Sequence, residues 1–285
     1  MNELRKGKAQ KLIRAGSQLG GAAVGGALGF LAGDPLTAAV AATAGSASTK
    51  VLADIADRTL SQRETIRVGA TAAIAMASIK ERLEAEQSLR DDGFFEAKDG
   101  ERSDAEQVLE GVLLKAKNEH EEKKSEHLGW LYSNIAFDRW CSVEEANGAT
   151  RTASELTYAQ FVLMHVYHNT SLHNLLEVRG QPGDQVPYGT LSIMQATFDL
   201  ANRGLILLRL PGQSHGEIVL DLNQVVPAHF ELSVIGTRLH DLLSLDRVPV
   251  SDVNSVSKHI SSDPKKRYGD LYHVYELNQR RQDTQ

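Results

Sequence analysis

The chain has 285 residues, enough for two ordinary domains and an N-terminal appendage, each domain with a core of its own. A net charge of -6 argues against a protein whose main business is coating nucleic acid, and the single cysteine, Cys141, excludes an intramolecular disulfide framework and fits a reducing cytoplasm. Apolar residues make up 41% but aromatics only 6%, so Ala and Gly must do much of the packing.

The first fourteen residues are basic: Arg5, Lys6, Lys8, Lys11 and Arg14 stand against a single Glu3. Such an arm suits either anionic lipid headgroups or an acidic partner, with Lys6, Lys8, Lys11 and Arg14 as the candidate membrane-surface contacts, and it is equally the composition of a solvated helix start. Uncharged runs follow from Ala15 to Gly33 and from Leu36 to Thr49, broken by the turn signal Gly33-Asp34-Pro35, which predicts a helical hairpin. The runs are dominated by Gly and Ala, not by the compact Leu-rich core of a secretory leader, so the hairpin is expected to belong to the working protein.

Gly21, Gly25, Gly29 and Gly33 recur at strict four-residue spacing, and Gly16, Gly20 and Gly26 widen the small face. On a helix this spacing forms one stripe along which a second backbone can approach closely. Each glycine costs about 1 kcal/mol against alanine in a water-exposed helix, so packing or lipid has to compensate. The run is about 28 Å long at 1.5 Å per residue, near the thickness of a hydrocarbon core. Its strongly apolar residues are only Leu19, Val24, Leu28, Phe30 and Leu31, too few for constitutive insertion as a single span. Two readings stay open: conditional, oligomeric insertion in a membrane, and packing of the hairpin within a water-soluble helical bundle. Carrying Asp34 across the midplane as a carboxylate would cost about 3 kcal/mol, which favours regulated entry in the first case.

Ser61 and Glu64 have the spacing of a capping box, predicting an amphipathic helix to about Gln87 with Ile66, Ile74, Ile79 and Leu83 as its larger apolar residues. The segment from Leu89 to Arg102 reads as a connector anchored by Phe94-Phe95. Ser103 and Glu106 repeat the capping box, and a long helix is expected after them, with Val108, Leu109, Val112 and Leu113 on one face and the charged run Glu119 to Glu126 facing solvent near its middle. Trp130 to Phe137 restores an apolar pattern, and Ser154 to Tyr167 reads as one further apolar helix. A Gly/Pro-rich loop spans Gly180 to Gly189. Beyond it come a helix over Thr190 to Asn202, strands at Leu205 to Leu210 and Glu217 to Leu222 joined by a loop, and a helix over Ser233 to Leu245. That order is the pattern of a winged helix-turn-helix unit. The tail from Lys258 on is polar and expected to pack poorly at its end.

The segments LGWLYSNIAFD (Leu128 to Asp138), SELTYAQFVLMHVY, NRGLI (Asn202 to Ile206) and FELSVIGTRLHDLL (Phe230 to Leu243) together resemble the abortive-infection alpha (Abi-alpha) type of bacterial protein, over roughly Glu106 to Leu245. The resemblance implies a phage-defence setting, with an aromatic-Asn helix ahead of an apolar helix and a winged-helix-like module; it supplies no catalytic residue.

No constellation points to a reaction. His165, His168 and His173 form a histidine group, but no carboxylate sits where a zinc site would need it, so a packing or surface role is expected and no metal or cofactor is assigned. There is no nucleophile elbow, Walker loop or dinucleotide fingerprint, and the glycines at 20, 21, 25 and 26 lack the preceding strand of a phosphate loop. Cys141 reads as a structural thiol. In the winged unit only Gln195, Asn202 and Arg203 on the candidate recognition helix, with Arg209 beyond it, could reach nucleic acid, and Arg203 and Arg209 are the candidate contacts; a protein partner is the better expectation. The sequence therefore predicts a mostly α protein in three parts: arm and glycine-zipper hairpin (1-60), helical domain (61-180), and winged-helix-like module with a small β-hairpin and polar tail (181-285). The expected function is a non-enzymatic effector that self-associates on or in the inner membrane. The alternative is a soluble adaptor or DNA-associated regulator acting through the winged unit, with the hairpin as an oligomerisation element.

Overall fold

The computed structural model describes residues 60–97, 102–177, 187–209 and 225–268, with single helical positions at 273, 276 and 280. The basic arm, the glycine hairpin, most of the loop Gly180 to Gly189 and the expected strand Glu217 to Leu222 lie outside the described residues. Among those described, the protein is mostly helical, with nine α-helices and one two-stranded antiparallel sheet. They form two compact units: one reaching to Leu156 and including Leu242–Ser244, the other comprising Thr157–Asp241 and the chain from Leu245 on. The second unit thus begins inside the region read from sequence as the helical domain.

In the first unit, α1 (Gln62–Glu84) starts where its capping box lies: the Glu64 amide donates to Ser61 Oγ at 3.4 Å and the Ser61 amide to Glu64 Oε2 at 2.7 Å. Val68, Ala72, Ala75 and Ile79 make its buried stripe. The connector behaves as an anchor. Phe94 is buried, meets Phe95 edge-on at 5.1 Å, and carries the Arg90 guanidinium 4.3 Å above its ring. Helix α2 (Asp104–Asn118) opens on the second capping box, Ser103 with Glu106, and buries Val108, Leu109, Val112 and Leu113.

The charged run does not lie in the middle of that helix. The chain leaves α2 at Asn118, Glu119 is extended (φ -74, ψ 136), and α3 (Glu122–Phe137) begins anew. The cause is Glu119 itself. Its carboxylate accepts the amides of His120 and Glu121 at 2.9 and 3.0 Å, and it pairs with the Lys124 ammonium at 2.5 Å; Lys124 also donates to the Ser154 carbonyl at 3.2 Å. Both side chains are buried, so this part of the run faces the interior while Glu122 and Lys123 face solvent. Those amide and ammonium donors hold the Glu119 carboxyl below the usual carboxylate range against the opposing effect of burial.

Helix α3 packs on α1 at Gly129, where an added Cβ would stand 2.8 Å from the Thr71 carbonyl oxygen and 2.9 Å from Ile74. A helix α4 (Val143–Glu155), capped by Ser142, completes the unit; its burial is confined to Ala146, Thr150 and Ala153. From α3, His127 Nδ1 lies 2.8 Å from the Leu243 carbonyl, while Asn134 Nδ2 donates to the Leu242 carbonyl at 2.8 Å and to Ser244 Oγ at 2.9 Å, fixing the short returning segment.

The apolar run Ser154 to Tyr167 is not one helix. It breaks at Leu156 (ψ 147), and α5 (Tyr158–His168) starts on a third capping box, Thr157 with Gln160. Around the buried face of α5 the second unit assembles α6 (Tyr188–Asn202), β1 (Ile206–Leu208), β2 (Phe230–Leu232), α7 (Val234–Leu242), α8 (Val250–Ser257) and α9 (Pro264–Tyr268). Strand β1 pairs antiparallel with β2, Ile206 opposite Leu232 and Leu208 opposite Phe230. Sequence reading expected the partner strand at Glu217 to Leu222 and assigned no element to Phe230 to Leu232, and the helix itself is shorter than Ser233 to Leu245. Ser233 caps α7 by accepting the Gly236 amide at 2.9 Å while donating to the Gly204 carbonyl at 2.6 Å. Only glycine fits at 236, since a Cβ there would fall 1.9 Å from the Leu205 carbonyl oxygen. Two tyrosines tie the helices together: Tyr167 Oη with Thr197 Oγ1 and Tyr158 Oη donating to Asp252, each at 2.8 Å.

Gly129 gives a direct test of the first core. Gly129→Ala should destabilise by about 1–3 kcal/mol through overpacking. Gly148→Ala, whose added Cβ meets nothing within 4 Å, should be neutral or stabilising. Denaturant titration of both variants measures the contrast.

Candidate functional site

A group of titratable side chains in the second unit is built from α5 and α7. Residues 165 and 168 are three apart on α5 and share a face, and α7 lays His240 against them. The His240 ring stacks on His168 at 4.2 Å with 22° between planes, and on His165 at 5.8 Å and 10°. His240 is buried, with Nδ1 3.2 Å from Asp241 Oδ1. His165 Nδ1 and His240 Nε2 are buried and have no hydrogen-bond partner among the described residues.

Burial pushes His165 below its ordinary range, and charge on His240, His173 or His168 would push it further, with Asp246 opposing. Burial likewise lowers His240, against the hydrogen bond and charge of Asp241, and lowers His173. Both shifts favour the neutral forms of His165 and His240. Because the planes are nearly parallel, the in-plane lone pairs of these rings do not converge on one point, and the arrangement works as aromatic packing with two unpaired nitrogens rather than as a ligand set. Sequence reading grouped His165 and His168 with His173 and missed His240. The usable signal was the run Leu239-His240 with Leu243, which places a histidine beside the buried stripe of a short helix.

Elsewhere among the described residues, Glu119, His120 and Glu121 bring potential ligand atoms within 4.8 Å of one another. The Glu119 carboxylate is already committed to Lys124 and two amides, and His120 is exposed, so the trio is a helix break locked by an ion pair. Cys141 is fully buried, with its thiol 3.7 Å from the Ser142 carbonyl. Arg203 is the C-cap of α6, and Arg209, beyond β1, pairs with Glu231 of β2. Gln195 is held by Asp199 on its own helix at 2.9 Å. The two arginines thus sit on different elements, and Gln195 and Arg209 are engaged within the unit. The stripe of Gly21, Gly25, Gly29 and Gly33 and the arm of Lys6, Lys8, Lys11 and Arg14 lie outside the described residues. No known family model, curated protein or solved structure matches the chain.

The lowered histidines set a sign for pH dependence. Groups kept neutral in the fold contribute stability that is complete above their unfolded value of about 6.5 and is lost as pH falls through the lower folded values. The half-buried Glu126 carboxyl, pushed up by desolvation, acts in the opposite direction. Comparison with His240→Phe, which keeps a stacking ring and removes the titration, isolates the stack. The native chain should lose more stability between pH 7.5 and 5.5 than the variant, measured by urea unfolding at constant ionic strength; equal losses would refute the stack's role.

Proposed function

We propose that the chain is a non-enzymatic effector of the bacterial abortive-infection type, in which the glycine-zipper hairpin self-associates on or in the inner membrane when released from a resting state held by the helical body. The observation that carries this reading is the four-residue spacing of Gly21, Gly25, Gly29 and Gly33 within a charge-free run that follows a basic arm. The Abi-alpha resemblance of the central and C-terminal segments supports the setting. Among the described residues no helix is long and apolar enough to cross a membrane, so the reading assigns any insertion to the hairpin. A second reading, an adaptor working through a winged-helix-like module, draws support from the exposed apolar side chains Val234, Ile235 and Leu207 around the β1–β2 pair.

The two readings part on one variant. Gly25→Leu/Gly29→Leu raises the hydrophobicity of the run while placing bulky groups on its stripe. On the effector reading the variant still floats with vesicles but loses oligomers and dye release. On the adaptor reading the native chain neither floats nor releases dye, and the variant overpacks and aggregates. Paired flotation and liposome leakage decide between them, and a native chain inert in both assays ends the membrane reading.

A further inference from the structure

A cavity of about 460 Å³ opens in the second unit. Its wall includes Lys258, Lys266, His173, Asn174, Asn254 and Ser257, with no Asp or Glu among the described lining residues. The frame is fixed by backbone pairing. Leu175 and Ser261 form an antiparallel bridge, the Leu176 amide donates to the Ile260 carbonyl at 2.8 Å, and the Ser262 amide donates to the Asn174 carbonyl at 2.9 Å. Thr190 Oγ1 donates to the His259 carbonyl at 3.0 Å, tying α6 to the same turn.

Lys258 lies at the C-terminal end of α8, where a cation also suits the helix dipole. Lys266 lies in the last turn of the short helix α9. Neither lysine pairs with a carboxylate among the described residues, although both contribute to one concave wall beside amide and hydroxyl donors. Among the described residues, two ammonium groups without a carboxylate partner, amide and hydroxyl donors and no acidic side chain in the lining make a surface complementary to a polyanion. The volume falls within the roughly 300–1,000 Å³ of small-molecule sites, large enough for a phosphate group and a polar body attached to it.

We infer that this cavity binds a phosphate-bearing polar small molecule, with Lys258 and Lys266 holding the phosphate and Asn174, Asn254 and Ser257 contacting the polar body. The inference is independent of the membrane reading. The shared chemistry of a phosphorylated metabolite and a phospholipid headgroup is separated by the choice of probe.

The test uses the full chain, with inorganic pyrophosphate titrated by calorimetry at low salt and, in a second arm, vesicles containing phosphatidylglycerol. Pyrophosphate should bind, and Lys258→Gln/Lys266→Gln should weaken it by at least about tenfold, as expected when two charge-assisted contacts are lost. Lys265→Gln, which removes a neighbouring charge outside the cavity, should leave it within about twofold on the same scale. Asn254→Phe, which fills the cavity without changing charge, should abolish binding. No binding at millimolar pyrophosphate, equal losses for Lys265→Gln and the double variant, or retained binding in Asn254→Phe would each overturn the proposal. Binding to the vesicles alone, lost in the double variant, would also overturn it and assign the lysines to a lipid surface.

Discussion

The close approach of α1 and α3 at Gly129 is the constraint on which the first unit rests. With a Cβ barred by the Thr71 carbonyl and Ile74, the two backbones come near enough for Ala72, Ala75 and Ile79 to form a core with little aromatic bulk. This is how a chain with few aromatics builds a dense interior. The same contact sets the position of α3, and α3 presents His127 and Asn134 to the backbone of Leu242–Ser244, so the anchoring of that segment follows from a glycine on the opposite face.

Buried polar groups fix the breaks between helices as firmly as apolar packing fixes the helices. Glu119 ends one helix and clamps the next through Lys124, and Thr157 with Gln160 does the same where an apolar run would otherwise continue. Breaking the first pair would strand a buried charge, a loss typically of about 3–5 kcal/mol. In the second unit the histidine stack and the backbone clamp around Leu175 and Ser261 divide the work: one packs α7 on α5, the other holds a polar cavity open.

What the sequence made legible was local. Ser61 with Glu64 and Ser103 with Glu106 marked two helix starts to the residue, because a capping box is written within four positions. Thr157 with Gln160 has the same grammar but sits inside a continuous apolar pattern, and the periodicity hid it. The pairing of Glu119 with Lys124 was misread as a solvent-facing run because burial of a charge depends on α4, which contributes the Ser154 carbonyl from thirty residues away. Helix α4 itself offers only Ala and Thr to the core and gives almost no apolar signal. Strand β2 is three residues long and acquires its identity only from β1. His240 joins His165 and His168 through tertiary packing, and both cavity lysines fall in the stretch from Lys258 on that sequence reading took for a polar tail.

The proposed function requires that the chain from Ser61 on fold by itself and assigns the proposed membrane association to the residues before it. A chain starting at Ser61 tests this most directly, by far-UV circular dichroism with thermal unfolding, and by fractionation of cells expressing it beside the full chain. The account predicts a helical protein with a cooperative transition that stays in the aqueous fraction while the full chain partitions to membranes. A shortened chain that fails to fold, or that partitions to membranes as strongly as the full chain, would contradict it.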